Sequence, residues 1–398
     1  MNILSSRAKA SISLFLMIMW LPLFSCSSSR PLEPPGSEPL KRDVEYPYPD
    51  EKIIFSELAH HITEIQDHLK VIHPKHQVLR GFHAKSHGCL KGLMKVLPLA
   101  ERHVDPRFAI EPKDPEMRVK SAETLFGVFS QEGREYTILA RFSNGVGFIQ
   151  QDAWADVRGL AIKLLEVEGE RVTPLSPEDP DPYPEQHTQD FVMTNNPTQL
   201  ASTAQDFMEF GKDQDSMTRA SWFLSKKWRS LKLLMGRLLF HRVDSVVNEQ
   251  YWSDAPIRLG KRAIKYTAQP CSTYSSPVWF GENRLTKDLV TFNDTKSMCF
   301  DFKVQFQLDP YKQRMEDALT EWDEDDTPFV TVAKISFEPK QLKQTKGCED
   351  LRFTPWHALA EHQPLGNMNR GRRYVYASSQ THRGADHREP DKLSLDLE

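Results

Sequence analysis

Apolar and polar residues alternate in several short stretches of the chain, at residues 136–142, 302–306 and 329–335. This two-residue period predicts β-strands that bury one face. Around residues 218–241 the period changes to that of a helix, in which Trp and Leu residues are set among Lys and Arg. The pattern therefore predicts an α+β protein with a β-rich core.

Two charged segments have alternative interpretations. The basic segment 218–241 would suit a membrane surface as an amphipathic helix, but we favour a helix that covers the core and leaves its lysines in solvent. Residues 321–326 form an acidic run whose spacing is not that of an EF-hand, so we expect an exposed loop rather than a calcium site.

The N-terminal segment is typical of an export signal. Arg7 and Lys9 precede an apolar run from residue 12 to residue 24, which is shorter than the roughly 20 residues of a membrane span. Cys26 follows Leu-Phe-Ser, an arrangement that resembles a bacterial lipobox. The resemblance implies cleavage before Cys26, a diacylglycerol thioether on its sulfur, and a lipoprotein of the periplasm or outer membrane. An ordinary cleaved signal and an uncleaved anchor are the alternatives.

Composition divides the chain into four parts. We predict a signal peptide at residues 1–25 and a Ser- and Pro-rich tether at residues 26–51, which forms no packed element. No repeat and no second linker interrupts residues 52–383, so we expect one domain there. Residues 384–398 are polar, lack apolar periodicity and are predicted to form a loose tail.

Overall charge and cysteine content narrow the function classes. The formal net charge of -4 shows no basic excess of the kind that draws proteins to nucleic acid. Cys89, Cys271, Cys299 and Cys348 permit two disulfides in an exported protein, in pairings that the sequence leaves open. No Cys/His cluster has the spacing of a zinc site.

The sequence Arg-Gly-Phe-His-Ala-Lys at residues 80–85 resembles the catalase stretch that places the distal histidine over the haem. The resemblance implies that His83 is the acid/base and that Arg80 faces a haem propionate. An imidazole suits the task because its pKa lies near neutrality, so it can take a proton from a peroxide and return it. His83 and His87 also have the i, i+4 spacing of a metal pair, although the Glu of H-E-x-x-H is missing.

Residues 140–143, Ala-Arg-Phe-Ser, and residues 158–163, Arg-Gly-Leu-Ala-Ile-Lys, resemble a second catalase pattern. The resemblance implies that Arg141 faces a propionate, which a guanidinium binds with two parallel hydrogen bonds. It also implies that Ser143 lies near the distal histidine. Residues 158–163 are equally well explained as a structural strand after a glycine turn.

Residues 189–197, Gln-Asp-Phe-Val-Met-Thr-Asn-Asn-Pro, resemble the catalase segment that carries the distal asparagine. In a gapless alignment the family's asparagine falls on Thr194, so the polar partner is open among Thr194, Asn195 and Asn196. We assign it to Asn195. The same register places Phe207 where the family stacks a phenylalanine on the haem, although by itself Phe207 would be a core residue.

Residues 372–376, Arg-Arg-Tyr-Val-Tyr, and Arg383 have the Arg, Tyr, Arg spacing of catalases. The resemblance implies that Tyr376 binds the iron of a ferric haem b and that Arg372 and Arg383 contact the cofactor. On a helix Arg372 lies one turn from Tyr376, so its guanidinium can hydrogen-bond the phenolic oxygen. Each unit by which the tyrosine pKa falls below about 10 requires roughly 1.4 kcal/mol.

Together these segments imply a catalase-like antiparallel β-barrel with surrounding helices and haem b beside the helix that bears Tyr376. We expect a peroxidase or catalase that acts on hydrogen peroxide or organic hydroperoxides through a ferryl intermediate. Residues 355–370 resemble short bacterial catalase-related proteins, which implies peroxidase activity. The alternatives are rearrangement of fatty-acid hydroperoxides, as in allene oxide synthase relatives, a non-catalytic haem-binding lipoprotein, and a cofactor-free interaction module.

Overall fold

The computed structural model describes residues 39–74, 76–102, 121–172, 180–207, 241–277, 279–343 and 346–390. The predicted signal peptide, Cys26 and all but the last residue of the predicted helix at 218–241 lie outside these ranges. Among the helices within them, none combines the length and the apolar character that crossing a membrane requires.

The described strands form one antiparallel sheet that closes into a barrel. Its circuit runs β1-β2-β3-β4-β5-β7-β8-β9 and returns to β1, while β6 pairs with β7 and β10 pairs with β1 beside it. The strands are Ser86–Val96 (β1), Glu135–Asn144 (β2), Arg158–Leu164 (β3), Gln189–Thr194 (β4), Tyr251–Trp252 (β5), Ile257–Leu259 (β6), Arg262–Pro270 (β7), Met298–Phe306 (β8), Val330–Phe337 (β9) and Leu342–Lys343 (β10). The predicted α+β barrel is confirmed.

Because side chains alternate along the strands, the barrel has an apolar interior, and its outer face carries polar and charged side chains. Phe142, Leu160 and Met193 are register partners across β2, β3 and β4 and belong to the main core cluster. Phe191 and Phe302 reach into the same core, with ring centroids 4.8 Å apart. Because side chains alternate along a strand, the residues next to these point outward.

The strands predicted from alternation are found as parts of β2, β8 and β9. Residues 158–163 form most of β3. The acidic run at 321–326 is a loop with mostly exposed side chains, as expected.

The α-helices of the described part are Glu51–Ile72 (α1), Arg284–Thr295 (α2), Lys346–Asp350 (α3) and Gly366–His382 (α4). The first and last of these pack on each other, with the rings of Phe55 and Tyr374 5.7 Å apart. Gly371 permits the close approach, since a Cβ there would lie 3.2 Å from the Phe55 ring and 2.8 Å from the Cβ of Ala204. The predicted helix that carries Tyr376 is therefore α4.

Two disulfides use the four cysteines that follow Cys26 in the chain. Cys89 on β1 is bonded to Cys348 on α3, and Cys271 after β7 is bonded to Cys299 on β8. The first bridge joins residues 259 positions apart and fixes α3 against the barrel. Closing so long a loop restricts the unfolded chain and stabilises the fold.

Residues 39–50, the described part of the predicted tether, are packed against the domain. The Asp43 carboxylate accepts a hydrogen bond from Arg262 Nε at 3.0 Å, and the Glu45 carboxylate pairs with Arg370. These ion pairs order residues 39–50 despite their Pro-rich composition. The predicted boundary at residue 51 is therefore too late.

The described start of the predicted tail is also packed. The His387 ring lies 4.1 Å from the ring of Tyr183, and the His387 carbonyl accepts a hydrogen bond from Arg352 at 3.3 Å. Ala385 is buried. Specific contacts thus continue beyond the predicted boundary at residue 383, although the segment lacks apolar periodicity.

Candidate active site

His83 lies in the loop before β1, with its backbone in the left-handed region at φ 56°. Such a conformation is uncommon for a residue other than glycine and is held by its surroundings. Here the His83 amide donates to the Gly145 carbonyl at 2.9 Å, and the Ala84 amide donates to the Val146 carbonyl at 3.1 Å. These two bonds join the loop to the segment after β2 and fix the direction of the imidazole.

The imidazole of His83 rests in a niche on the outer face of the barrel. Its Nδ1 atom lies 3.0 Å from the hydroxyl oxygen of Ser143. A Cβ at Gly159 would lie 2.5 Å from Nδ1, so the niche requires glycine at this position. Ser143 and Gly159 are register partners on β2 and β3. The structure thus places Ser143 beside His83.

The surroundings of His83 keep its imidazole neutral. Burial, together with the charges of Arg141 and Arg372, lowers the pKa of His83 to about 3. An uncharged imidazole at neutral pH is able to accept a proton.

His83 and His87 do not form a metal pair. The His87 ring is hydrogen-bonded through Nε2 to the side-chain oxygen Oδ1 of Asn144 at 2.9 Å and through Nδ1 to the Thr286 hydroxyl at 3.0 Å. Both of its ring nitrogens are therefore occupied by neutral groups. The i, i+4 spacing has a structural explanation here.

The structure contradicts the assignment of the distal polar partner to Asn195. The Asn195 side chain accepts a hydrogen bond from the Arg158 amide at 2.6 Å and donates to Glu249 at 2.8 Å, so it joins β3 to a loop. Thr194 is instead the register partner of Gly159, and opposite residues in a sheet share a face. The side chain on the His83 face is consequently that of Thr194.

Tyr376 on α4 belongs to the same site by its electrostatics. Burial raises the pKa of its phenol, whereas the charges of Arg372 and Arg80 act to lower it. Arg372 also lowers the pKa of His83. The charge of one guanidinium, that of Arg372, thus acts on both the imidazole of His83 and the phenol of Tyr376.

The predicted hydrogen bond from Arg372 to the Tyr376 phenol is absent from the described part of the chain. Arg372 donates through Nη1 to Asn369 at 3.0 Å and through Nη2 to Asp254 at 3.2 Å. The carboxylate is a stronger acceptor than a neutral phenol. Although burial acts against it, the charge of Asp254 helps to raise the pKa of Arg372. Asp254 was missed from the sequence because no motif marks it.

Two predicted cofactor residues, Arg80 and Arg383, converge on one turn of chain. Arg80 Nη2 and Arg383 Nη1 each donate to the Glu349 carbonyl at 2.8 Å. The Leu351 carbonyl also accepts from both, at 2.8 and 2.9 Å. Burial and the nearby arginines lower the pKa of both guanidinium groups, that of Arg383 to about 10. Positive charge is therefore concentrated here.

Arg141 completes this arginine cluster, which we define as Arg80, Arg141, Arg383 and Glu349. Its Nη1 donates to the His83 carbonyl at 3.0 Å, and its Nη2 donates to the Glu349 carboxylate at 3.1 Å. The Glu349 carboxylate pairs with Arg80 and Arg141, while Arg383 lies close to the charges of both Glu349 and Asp350. Among the described residues, the buried Nε atoms of Arg80 and Arg141 have no hydrogen-bond partner. This donor set fits a ligand that carries carboxylates.

Phe207 lies edge-on to Phe82, with ring centroids 5.1 Å apart. Phe82 directly precedes His83 in the chain. The two rings form an apolar wall next to the loop that carries the imidazole. Phe207 therefore lies in the vicinity of the candidate site, as the alignment places it.

A second charged cluster, the lysine cluster, lies farther along the outer face of β3 and β4 and comprises Lys163, Asp181, Glu185, Asp190 and His357. Lys163 Nζ pairs with Glu185 and, at 2.6 Å, with Asp190. His357 Nε2 lies 3.2 Å from Asp181. Burial acts to lower the pKa of His357, but the three carboxylates raise it to about 9. Glu185, Asp190 and His357 have metal-like spacing, but the Lys163 ammonium and the protonated His357 pair with both carboxylates.

Comparisons with known proteins now add to this geometry. No protein-family model matches the sequence, and no curated protein matches it significantly. Several solved structures, in contrast, do match this protein. A fungal catalase superposes with a TM-score of 0.57 at 14% identity, over 89% of this chain and 67% of that one.

The chain has a catalase-like fold. A bacterial catalase gives a TM-score of 0.55 at 16% identity, over 88% of this chain and 64% of its own. Catalase A from Saccharomyces cerevisiae gives 0.56 at 16% identity, over 88% and 68%. The chain thus spans about two thirds of the length of these catalases. At this identity the likeness establishes the fold, and the chemistry has to be argued from the residues.

Proposed function

We propose that the chain binds haem b between the outer face of the barrel and α4, and that it reacts with hydrogen peroxide or organic hydroperoxides as a peroxidase or catalase. The observation that carries the proposal is the shared electrostatic environment of His83 and Tyr376, both influenced by Arg372. In a catalase-like fold, this arrangement brings a proton acceptor and a potential phenolate ligand to one centre.

The residues present fit such a cofactor. Tyr376 would supply an anionic oxygen to the iron, and the arginine cluster would hold the two propionates. The three guanidinium groups outnumber the nearby carboxylates of Glu349 and Asp350, and propionates would balance this excess of positive charge. Bound haem would supply a ferric centre able to take up oxidising equivalents from a peroxide.

His83 would move the proton. Its Nδ1 lies 3.0 Å from the hydroxyl oxygen of Ser143, and a backbone hydrogen bond with Asn144 acts against the lowering of its pKa. A neutral imidazole held in this way accepts a proton from one peroxide oxygen and returns it to the oxygen that leaves. The Ser143 contact and the Gly159 niche fix the ring orientation, which limits the reorganisation needed during proton transfer.

The apolar wall favours a second candidate function. Phe82 and Phe207 lie beside the His83 loop, and Thr194 rather than an asparagine lies on the same face. These side chains suit an organic hydroperoxide better than a small polar one. Rearrangement of a fatty-acid hydroperoxide therefore competes with its reduction, and product analysis separates the two.

Stopped-flow mixing of the haemin-reconstituted protein with hydrogen peroxide and with a fatty-acid hydroperoxide tests the proposal. We expect His83→Gln to slow the peroxide reaction by at least a hundredfold, because general acid/base catalysis contributes about 10²–10⁴. His60→Gln, which changes an exposed histidine of α1, serves as the control. Equal rates in His83→Gln and wild type would indicate a haem-binding protein without this catalysis.

We also propose that the chain is an exported bacterial lipoprotein attached through Cys26. The apolar run before Cys26 and the Ser/Pro-rich segment after it support this location. Cys26→Ser should move the protein from the membrane fraction to the soluble fraction and remove the lipid mass from the N-terminal peptide. Unchanged fractionation, with no lipid on the wild-type peptide, would contradict it.

A further inference from the structure

A pocket of about 390 Å³ lies beside the start of α2, and none of its lining residues belongs to the site around His83 and Tyr376. Small-molecule sites are roughly 300–1,000 Å³ in volume, so this pocket has room for a small ligand. Its walls combine two aromatic side chains, Tyr274 and Trp279, with two cations, Arg242 and Arg284.

The Arg284 side chain presents a buried cation to this pocket. It is 8% exposed, and its Nη2 donates to the Val243 carbonyl at 2.6 Å. The distance from its Nη1 to the Asp244 carboxylate is 3.9 Å, which is too long for a hydrogen bond. Donor capacity therefore remains on a guanidinium that is already desolvated.

The charges around the pocket favour an anion. Arg242 Nε donates to Asp244 at 2.8 Å, so this carboxylate is engaged by the exposed arginine. Lys296 lies 4.6 Å from the centre of the Tyr274 ring, and the buried Asp288 lies beneath Trp279. The charged side chains that line the pocket, Arg242, Arg284 and Asp244, sum to a net charge of +1. A monoanion would balance them.

The aromatic walls are held in place by specific contacts. The Tyr274 amide donates to Asn248 at 2.7 Å, and the Asn248 side chain donates back to the Tyr274 carbonyl at 2.6 Å. The ring of Tyr274 packs edge-on against Phe292 at 4.7 Å. The Trp279 indole nitrogen donates to Asp288 at 3.2 Å. Rings fixed in this way offer a planar ligand a surface that costs little entropy to order.

We propose that this pocket binds a small aromatic carboxylate. A carboxylate can accept two parallel hydrogen bonds from a guanidinium, and Arg242 and Arg284 both line the pocket. The aromatic side chains supply the apolar contact for the ring. This assignment is independent of haem and of the proposed peroxide chemistry.

Isothermal titration of the full-length protein with 4-hydroxybenzoate tests this site, and 4-hydroxybenzyl alcohol serves as the uncharged analogue. We expect saturable binding of the acid and at least tenfold weaker binding of the alcohol. Absence of saturable binding, or equal affinity for the two compounds, would overturn the proposal.

Variants locate the binding. Arg242→Gln changes an exposed residue and should weaken binding of the acid by at least tenfold without disturbing the fold. Arg388→Gln is the matched control, because Arg388 forms a similar exposed pair with Asp386 two residues away. Binding that survives Arg242→Gln, or that falls equally in Arg388→Gln, would place the ligand elsewhere and contradict the proposal.

Discussion

The lysine cluster and the arginine cluster are two groups of buried charges on the same barrel, and they differ in balance. In the first, Lys163, His357 and the neighbouring Arg352 face three carboxylates, those of Asp181, Glu185 and Asp190. In the second, the Glu349 carboxylate pairs with Arg80 and Arg141, and the Glu349 carbonyl accepts hydrogen bonds from Arg80 and Arg383.

This difference separates a structural device from a ligand site. Buried charges are tolerated when they are paired and hydrogen-bonded, as they are around Lys163. An excess of one sign is unfavourable unless a ligand of the opposite sign balances it. The imbalance of the arginine cluster is therefore the clearest indication of an anionic group bound at this position, and the balanced lysine cluster needs none.

Removing Lys163 from the lysine cluster should produce the largest loss of stability. Lys163→Met leaves Glu185 and Asp190 buried without their cation, which should lower the free energy of unfolding by about 3–5 kcal/mol. Urea denaturation followed by circular dichroism measures this change. Lys312→Met, which removes an exposed lysine paired with Asp326, should cost much less stability, because both charges are in contact with water. Equal losses in the two variants would remove the distinction between the clusters.

Raising the pH should weaken the balanced cluster through His357. In the folded protein the pKa of His357 is about 9, above the 6.5 of an unperturbed imidazole. The stabilisation that charged His357 provides is therefore complete below pH 6.5. That contribution is lost as the pH rises from about 6.5 to about 9, by roughly 1.4 kcal/mol for each unit between the two pKa values. Denaturant midpoints across this range should fall in wild type and vary less in His357→Gln. Parallel curves for the two proteins would contradict the assignment.

Neutralising one arginine of the arginine cluster should have a smaller effect, and it should change the affinity for haemin instead of the stability. Arg141→Gln should weaken haemin binding by roughly ten- to a hundredfold, because hydrogen bonds to charged groups contribute about 1.5–3 kcal/mol. The free energy of unfolding without haemin should change little, since one of three crowded cations is removed. Arg134→Gln, at a half-buried position directly before β2, is the control. A large loss of stability without loss of haemin affinity would make this cluster structural.

Local patterns in the sequence were enough for much of the fold. Alternation located β2, β8 and β9, and the helix with Tyr376 occupies its predicted position. These features depend on neighbouring residues, which a single sequence displays directly.

Features that depend on distant residues could not be read in this way. Arg372 binds Asp254, 118 positions away, instead of the tyrosine one helical turn along, and Lys163 lies near His357, 194 positions away. The distal face presents Thr194 rather than Asn195 because the pairing with Gly159 sets which side chain points outward. Pairing of this kind, like that of the disulfides, follows from tertiary structure.

Titration of the protein with haemin, comparing wild type with Tyr376→Phe, tests the central claim most directly. Wild type should bind one haem with the spectrum of a phenolate-ligated ferric centre, and Tyr376→Phe should lose that spectrum while keeping its circular dichroism. A wild type without a Soret band, or identical haem spectra in the two proteins, would contradict the account.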